Sequence, residues 1–410
     1  MLSFVGDSDS IWIMKKIIII HYNEIALKGQ NRPYFEKALV ANVRSVLRGE
    51  KFERISNLFG RIIVELGDES KIDSIERKLK MVFGIAYFVF GFSSSRDLDL
   101  LQRDVWSLVG SLDFDSFRVT TKRSDKSFQY KSQEMDILIG SYIWQQIEKI
   151  NKKPKVDLKN PDLDIVIEVT TSGIFFYIDF QGRGKIKCFS GLPARTAGKV
   201  VSLISSGFDS PVASWKMMRR GAEVVFIHFH SHPSTSLASK ENVREIIRTL
   251  TKYQYYSKAY FVPFLDIQKA IMLNCDPTYG VILYRRFMIR IAEKIAEIEN
   301  AKALVTGDSL AQVASQTLEN INTVSEVARL PILRPLIGEN KEDVIEWAQV
   351  IDTFKISSNP YEDCCSLFVP RHPKTRSRIE DVKLLERKLD IEALVDEAIR
   401  GAELEVFKYP

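Results

Sequence analysis

The sequence predicts an α/β protein of several domains, in which two smaller α+β domains precede a domain built on a parallel β-sheet. Its 410 residues are enough for two or three domains. The first 90 residues show a β-α-β-α-β order, which is typical of small α+β domains. From Ala197 onwards, apolar strands alternate with helices, and this alternation indicates a parallel sheet covered by helices on both faces.

The first domain is expected to be ferredoxin-like and to span residues 14–90. Apolar side chains recur at helical spacing from Phe35 to Val46, which predicts a helix that runs through Leu47. The other predicted elements of this domain are strands over residues 17–22, 61–66 and 82–90 and a helix over residues 72–81.

The second domain is expected over residues 91–185. Its predicted elements are helices over residues 98–108 and 132–150 and strands over residues 116–123, 163–170 and 173–179. Basic residues outnumber acidic ones between residues 117 and 159, and Phe128 and Tyr130 are interleaved with them. Phosphate backbones attract such a surface, and an aromatic ring can stack on an unpaired base.

The candidate RNA-binding residues of this basic stretch are Arg118, Lys122, Arg123, Lys126 and Lys131. Charge alone favours the alternative interpretation, in which these residues form a solvated basic surface.

The third domain is expected over residues 196–410, after a linker that begins at Gln181. Its predicted strands cover residues 200–204, 223–229, 259–263 and 302–306, and its predicted helices cover residues 211–220, 239–254, 265–273, 279–298 and 341–350. A helical tail is predicted over residues 379–399. Parallel sheets of this kind bind ligands at the carboxyl ends of their strands.

A candidate phosphate-binding loop, residues 205–210, joins the first strand of this domain to its first helix. Unpaired N–H groups at a helix N-terminus favour an anion, and Gly207 permits close backbone approach. Asp209 suits a Mg²⁺ ion that accompanies a nucleotide. Hydroxyl donors are supplied by Ser205, Ser206 and Ser210.

This loop lacks the Gly-Lys-Ser or Gly-Lys-Thr of kinase-type phosphate loops. It resembles the PP-loop of the ATP pyrophosphatases, with Ser206 in place of their usual first glycine. An ordinary Ser/Gly turn between a strand and a helix is the alternative interpretation.

His228, His230 and His232 alternate along a predicted strand. A zinc site is one interpretation, although neither a cysteine nor a carboxylate lies close in sequence. The favoured interpretation is that backbone and aromatic groups at this strand end line a nucleotide pocket.

Arg285 and Arg286 lie in an apolar helix, where a buried arginine requires a partner. An ATP phosphate and a carboxylate inside the fold are equally good candidates. Gln312 and Gln316 are four residues apart and are expected to share a helix face directed at a ribose, a base or phosphates.

Cys364 and Cys365 are adjacent, and adjacent Cα atoms are about 3.8 Å apart, too close for an unstrained disulfide. Cationic residues between 371 and 374 favour a reactive thiolate at this pair. Buried structural cysteines are the alternative, and Cys188 and Cys275 are expected to be of that kind.

Taken together, these stretches resemble the tRNA 4-thiouridine synthetases, also called tRNA uridine 4-sulfurtransferases. The matching stretches are residues 24–32, 203–210, 303–309, 312–318, 333–337 and 361–365. The resemblance covers nearly the whole chain from Met14 and implies a ferredoxin-like domain, a THUMP RNA-binding domain and a PP-loop domain. Because the chain ends soon after the helical tail, the rhodanese domain of some members is expected to be absent.

The resemblance also implies roles for individual residues. The implied nucleotide contacts are Leu203, Ile204, His228, Phe229, Arg285, Gly307 and Gln316, beside the loop residues Ser205, Ser206, Gly207 and Ser210. The implied catalytic residues are Asp209 and Cys364, and Cys365 is one residue away from the matching position.

The implied reaction uses ATP and Mg²⁺ to adenylate O4 of a tRNA uridine, at position eight in the family, before sulfur replaces this oxygen. The expected partners are tRNA, a sulfur donor such as a cysteine desulfurase, a sulfur-carrier protein of thiamine synthesis and a second copy of the chain in a homodimer. The identity of the sulfur donor stays open.

Two other classes of function remain as alternatives. An RNA-free PP-loop ligase that forms a small-molecule amide would not need the basic first half of the chain. A tRNA-binding module without chemistry would leave Asp209 and the cysteine pair without a role.

The composition is consistent with a cytoplasmic protein that binds nucleic acid. The net charge is +5. Four cysteines without a Cys-x-x-Cys motif argue against a disulfide framework and for a reducing compartment. No apolar run is long enough to span a bilayer, and no secretion signal is evident.

Overall fold

The structure, a computed structural model, describes residues 14–58, 60–150, 153, 155–234, 238–359 and 373–409. The chain divides into two compact units, residues 1–191 and residues 192–410. This division falls within the stretch that the sequence predicts as a linker. The bounds of the three predicted domains stay a prediction.

The first unit is built on one mixed sheet. Its strands are β1 (Lys16–His21), β2 (Arg54–Leu58), β3 (Arg61–Glu65), β4 (Tyr87–Ser94), β5 (Ser116–Arg123), β6 (Lys155–Val156), β7 (Leu163–Thr170), β8 (Gly173–Phe180) and β9 (Ile186–Lys187). Their spatial order is β2-β3-β1-β4-β8-β7-β5-β6, and β9 pairs with β4. The first two predicted domains therefore share a sheet, because β4 runs through residue 90 and pairs with β8.

The helices of the first unit are α1 (Arg32–Val46), α2 (Ile72–Lys80), α3 (Leu98–Val109) and α4 (Ser132–Lys149). Each buries an apolar stripe: α1 buries Leu39 and Val43, for example, and α4 buries Ile139 and Ile143. The α4 stripe packs in a core with Ile165 of β7.

Several details of this unit differ from the predicted elements, among them the short strands β6 and β9, which were not predicted. The predicted strand over residues 82–90 is wrong at its start, because Gly84 has a φ of +97° and β4 begins only at Tyr87. Strand β2 was not predicted, since Ser56 and Asn57 are weak strand formers.

The second unit is built on a sheet of mainly parallel strands. Its strands are β10 (Lys199–Leu203), β11 (Glu223–His230), β12 (Tyr256–Pro263), β13 (Leu304–Val305), β14 (Ile332–Leu333) and β15 (Glu403–Lys408). The spatial order is β14-β13-β10-β11-β12-β15, and only the β12–β15 pair is antiparallel among the described strands. The predicted parallel sheet is therefore present.

The helices of the second unit are α5 (Asp209–Arg219), α6 (Ala238–Gln254), α7 (Leu265–Asn274), α8 (Gly280–Glu299), α9 (Leu318–Ser325), α10 (Lys341–Val350), α11 (Phe354–Ser357), α12 (Ile379–Glu386) and α13 (Ile391–Arg400). Helix α8 contributes Phe287, Ile291 and Ile295 to the main core. The predicted helical tail is two helices, because the Asp390 carboxylate caps α13 by accepting from Ala393 N at 3.1 Å. No helix within the described ranges is long and apolar enough to cross a membrane.

Strand order fixes where a ligand site can form in this unit. Strand β10 pairs with β11 on one side and with β13 on the other. The chain runs from β10 to β11 and β12 on one side and then crosses to β13 on the other side of β10, so the loops that follow β10 and β13 emerge side by side at the carboxyl edge. Such a switch point is the usual ligand-binding crevice of an open α/β sheet.

Candidate active site

The loop between β10 and α5 is held compact by its own serines. The backbone N–H of Ser205 donates to Ser210 Oγ at 2.8 Å, and the two hydroxyl oxygens are 3.1 Å apart. The backbone N–H of Gly207 lies 3.4 Å from Ser205 Oγ. The loop thus ends at the N-terminus of α5, where the first N–H groups of the helix favour an anion.

Ser206, which departs from the usual glycine of the PP-loop, is fully buried. Its Oγ lies 3.5 Å from Ser239 Oγ on α6, so this hydroxyl is engaged inside the fold. Ser206 is not among the residues with positive φ, which explains why a serine fits at this position.

Asp209 is the first residue of α5, and its carboxylate has two partners. Lys341 Nζ lies 2.8 and 3.0 Å from the two carboxylate oxygens. Gln312 Nε2 donates to Oδ2 at 3.2 Å. The Asp209 side chain stays 23% exposed, so the carboxylate remains accessible at the loop.

Lys341 is a site residue that the sequence analysis missed. It opens α10, and its Nζ also lies 5.5 Å from the centre of the Phe208 ring. It is 132 residues away from Asp209 in sequence, and no local motif marks it. Only the folded arrangement brings this cation to the loop.

Gly307, an implied nucleotide contact, follows β13 and packs directly on the phosphate loop. A Cβ atom at this position would lie 2.7 Å from Ser210 N and 2.9 Å from the carbonyl carbon of Asp209. The two loops at the switch point are thus in backbone contact, which only a glycine allows.

Asp308 lies next to Gly307 and is buried, with 3% exposure. It forms an ion pair with Arg285, accepts from Arg334 Nε at 3.1 Å and accepts from Thr306 Oγ1 at 2.8 Å. Burial raises the pKa of Asp308, but the two arginines and the Thr306 hydroxyl outweigh burial and hold this pKa below its usual value. The carboxylate is therefore charged at neutral pH.

The predicted helix face that joins Gln312 and Gln316 is wrong. Ala311 has a φ of +61° and Val313 is extended, so no α-helix forms before Leu318. The two amides reach different carboxylates: Gln312 contacts Asp209, and Gln316 Nε2 lies 3.5 Å from Asp308 Oδ1.

The remaining implied nucleotide contacts lie at the ends of β10 and β11. Leu203 is partly buried, and Ile204 and Phe229 are buried. His228 is also buried, and its Nδ1 lies 3.1 Å from the carbonyl oxygen of Ile204.

Burial lowers the pKa of His228 to about 4, so its imidazole is neutral at physiological pH. Within the described part of the chain, no group of three His, Cys, Asp or Glu side chains is arranged to hold a metal ion.

The candidate RNA-binding residues lie in the first unit and fall into two groups. Arg118 pairs with Asp164 at 2.6 Å, and Arg123 Nη1 donates to the carbonyl oxygens of Phe128 and Tyr130 at 3.2 and 2.8 Å. The side chains of the second group are exposed, and this group consists of Lys122, Lys126 and Lys131. The exposed lysines are better placed to contact RNA phosphates than the two arginines.

Cys364 and Cys365 lie outside the described residues. Of the other cysteines, Cys188 is partly buried, and burial raises its pKa to about 12. Cys275 is buried, and burial also raises its pKa. Both thiols are therefore poor nucleophiles, in keeping with structural roles.

A loop rich in serine and glycine opens a helix at the switch point of the parallel sheet, and its aspartate is ion-paired. These features define a nucleotide-dependent enzyme of the PP-loop class. Family models match along the chain: a ThiI ferredoxin-like domain over residues 17–89, a THUMP domain over residues 96–179 and the thiamine biosynthesis protein (ThiI) family over residues 195–391.

The chain belongs to the ThiI family of tRNA sulfurtransferases. It is 41% identical over 391 residues to a probable tRNA sulfurtransferase of Brevibacillus brevis, with 95% of this chain and 96% of the relative covered. It is 38% identical over 399 residues to the probable tRNA sulfurtransferase of Thermus thermophilus, with 97% and 95% covered.

A crystal structure of a 4-thiouridine synthetase–RNA complex with bound ATP is 35% identical and superposes with a TM-score of 0.85, covering 96% of this chain and all of that chain. The family resemblance and the fold class predicted from the sequence are thereby confirmed. The roles of the individual site residues stay predictions.

Proposed function

We propose that the protein is an ATP-dependent tRNA sulfurtransferase that converts a tRNA uridine, at position 8, into 4-thiouridine. The observation that carries the proposal is the phosphate loop at the switch point, with the Asp209 carboxylate held by Lys341 and Gln312. The 4-thiouridine synthetase with bound ATP and RNA, which shares the fold over 96% of this chain, supports the same two substrates.

In the first step, O4 of the uridine attacks the α-phosphorus of ATP. The bond from this phosphorus to the oxygen that joins the α- and β-phosphates breaks, and pyrophosphate leaves. Negative charge develops on the departing group. We propose that the N–H groups at the start of α5 and the Lys341 ammonium, which lies 2.8 Å from Asp209, stabilise this charge. In the second step, the outer sulfur of a persulfide on Cys364 attacks C4, the C4–O4 bond breaks, and AMP leaves with O4. A second thiol then attacks Cys364 Sγ, the S–S bond to the nucleotide breaks and 4-thiouridine is released, and an external thiol reduces the disulfide that remains.

A magnesium ion bound with ATP would neutralise part of the phosphate charge. The loop offers a single accessible carboxylate, Asp209, and a Mg²⁺ ion held mainly by phosphate oxygens needs only one or two. Asp209 is therefore the residue that we propose to hold this ion.

We assign the sulfur step to Cys364, with Cys365 as the alternative. The described residues on both sides of residues 360–372 adjoin the site and support this assignment. Ser357 Oγ donates to the carbonyl oxygen of Gly207 at 3.3 Å, and Thr317 Oγ1 donates to the carbonyl oxygen of Thr375 at 2.7 Å. A cysteine desulfurase or another sulfur donor, a sulfur-carrier protein and a second copy of the chain are the further partners that we propose.

The test compares Asp209→Ala and Cys364→Ser in the full-length protein. Asp209→Ala should lose tRNA-dependent pyrophosphate release, whereas Cys364→Ser should keep it and lose 4-thiouridine, measured by mass spectrometry of tRNA nucleosides. Asp266→Ala is the matched control, because Asp266 also lies in the first turn of a helix but is 74% exposed and follows β12, two strands away from β10. Equal pyrophosphate release with and without tRNA would refute the proposal and favour a small-molecule ligase.

A further inference from the structure

We infer that Arg334 is a second anion-binding arginine of the nucleotide site, and that Asp308 is the positioning residue that holds Arg334 and Arg285 in place. The inference rests on the proposed function, because the anion that we assign to the site is a phosphate group of ATP.

The first observation is the geometry around Asp308. Arg285 contacts Oδ1, whereas Arg334 Nε and Thr306 Oγ1 donate to Oδ2 at 3.1 and 2.8 Å. Both carboxylate oxygens are thus occupied from two sides. The two guanidinium groups are fixed by one acceptor, since a charged hydrogen bond at each oxygen restricts both arginine side chains.

The second observation is the position of this cluster. Asp308 directly follows Gly307, which touches the backbone of the phosphate loop. Arg334 directly follows β14, and β14 pairs in parallel with β13. Arg334 therefore lies at the carboxyl edge of the sheet, where ligands bind in such folds.

The third observation is the balance of charge. The Arg285 and Arg334 side chains are 17% and 15% exposed, and Asp308 is the single carboxylate within ion-pair distance of either one in the described part of the chain. Two largely buried cations thus share one anion. Because unpaired buried charge is unfavourable, a second anion stabilises this arrangement, and a phosphate group fits guanidinium geometry.

A neighbouring cluster on the same helix shows what a purely structural arrangement looks like. Arg286 and Arg290 both contact Glu386, at distances of 2.7 to 3.0 Å, and Arg286 also pairs with Glu326 at 3.0 Å. Glu326 also pairs with Lys383 at 2.7 Å, but the Lys383 side chain is 53% exposed, so the two largely buried arginines there face two glutamates and the third cation is solvated. The Asp308 cluster lacks the second carboxylate, and this difference points to a ligand.

The fourth observation concerns unused polar atoms. Arg334 donates through Nε to Asp308 and through Nη2 to Ser325 Oγ at 2.7 Å, whereas its Nη1 has no partner among the described residues. Gln316, whose Nε2 lies 3.5 Å from Asp308 Oδ1, has a buried Oε1 that also lacks a partner in the described ranges. A nucleotide bound next to Asp308 would place a phosphate oxygen at Arg334 Nη1 and a donor, such as a ribose hydroxyl or the adenine amino group, at Gln316 Oε1, because an amide oxygen only accepts hydrogen bonds.

The experiment measures the dissociation constant of α,β-methylene-ATP, which cannot release pyrophosphate, by calorimetry on the full-length protein with Mg²⁺ and without tRNA. Arg334→Gln should weaken binding by at least about tenfold, because a charge-assisted contact is lost. It should also slow pyrophosphate release by about 100-fold. Arg334→Lys keeps the charge but loses the two parallel N–H donors of the guanidinium group, so its dissociation constant should fall between those of the wild type and Arg334→Gln.

Asp308→Asn should weaken binding like Arg334→Gln, and Asp308→Glu should restore part of it, because the carboxylate acts through the arginines. Arg290→Gln is the matched control: it removes a half-buried arginine from the structural cluster and should lower thermal stability without changing the dissociation constant. Melting curves identify any variant that fails to fold. If Arg334→Gln is one of them, the affinity of Arg334→Lys tests the inference instead.

Wild-type affinity in folded Arg334→Gln or Arg334→Lys would overturn the inference, whatever the tRNA assay shows. Normal analogue binding by the wild type without tRNA-dependent pyrophosphate release would instead overturn the proposed function, while the comparison of variants still decides the inference. Absence of analogue binding by the wild type would overturn both.

Discussion

Substituting Gly307 with alanine should weaken nucleotide binding by distorting the phosphate loop. An ideal Cβ at this position lies 2.7 Å from Ser210 N, 2.9 Å from the carbonyl carbon of Asp209 and 3.0 Å from Ser210 Cα. All three neighbours are backbone atoms at the start of α5, so no flexible side chain can move aside. One of the two loops has to shift by several tenths of an ångström.

The size of the effect follows from this overlap. Forcing an extra methyl group into a filled site costs about 1–3 kcal/mol. If binding the nucleotide requires the undistorted loop, the same free energy is lost from binding. Since every 1.4 kcal/mol is about tenfold in affinity, α,β-methylene-ATP should bind about 5- to 150-fold more weakly to Gly307→Ala.

Gly338→Ala is the matched control, because no heavy atom lies within 4 Å of an ideal Cβ there. Neither glycine has a positive φ, so the two substitutions differ in space and not in backbone strain. Gly338→Ala should stay within about 0.5 kcal/mol of wild type in urea unfolding and should bind the analogue normally. Equal affinities for Gly307→Ala and Gly338→Ala would refute the argument that the two loops pack backbone to backbone.

Three further predictions concern single features of the two units. Lys341→Met should slow pyrophosphate release by about 100-fold while the chain stays folded, because the ammonium group beside Asp209 is lost; rate assays and melting curves check this. The buried His228 has a pKa of about 4 against an ordinary value of 6.5, so the folded state binds fewer protons and stability falls as the pH drops from 6.5 towards 4. His228→Gln should remove about 2–3 kcal/mol of the stability difference between pH 7 and pH 4.5 in urea unfolding. The double substitution Lys126→Gln/Lys131→Gln should reduce the slope of log affinity for tRNA against log salt concentration by the amount expected for about two phosphate contacts. Arg118→Gln, which breaks the pair with Asp164, should change this slope little.

Each of these three predictions has a contradicting result. Wild-type pyrophosphate release by Lys341→Met would remove the lysine from the reaction. An unchanged pH dependence in His228→Gln would show that other groups carry it. A larger loss of salt dependence from Arg118→Gln than from the lysine pair would show that the paired arginine contacts RNA.

Local periodicity was sufficient to predict most of the helices and strands. The predicted strand over residues 116–123 coincides with β5, and the predicted helix over residues 341–350 coincides with α10. Strand β15 was missed although Leu404 and Val406 alternate with glutamates, because six residues after a long helical tail carry little signal.

The site was only partly predictable, for a physical reason. The residues of the phosphate loop are contiguous, so the strand-to-helix pattern revealed them. The partners of Asp209 and Asp308 come from distant segments: Lys341 is 132 residues from Asp209, and Arg334 is 26 residues from Asp308. Strand order brings these segments to one edge, and no spacing in the sequence encodes that order.

The dipeptide Arg285-Arg286 illustrates the same point. Consecutive residues of an α-helix project about 100° apart, so two adjacent arginines cannot face the same surroundings. Arg286 is 1% exposed and pairs with Glu386 and Glu326, so its partner is a carboxylate inside the fold. Arg285 faces the carboxyl edge of the sheet, where Asp308 is shared with a second arginine. Both arginines have a carboxylate partner, and a phosphate is the second partner that we propose for Arg285 alone. The angle around the helix axis, not the residue type, places Arg286 inside the fold and Arg285 at the proposed nucleotide site.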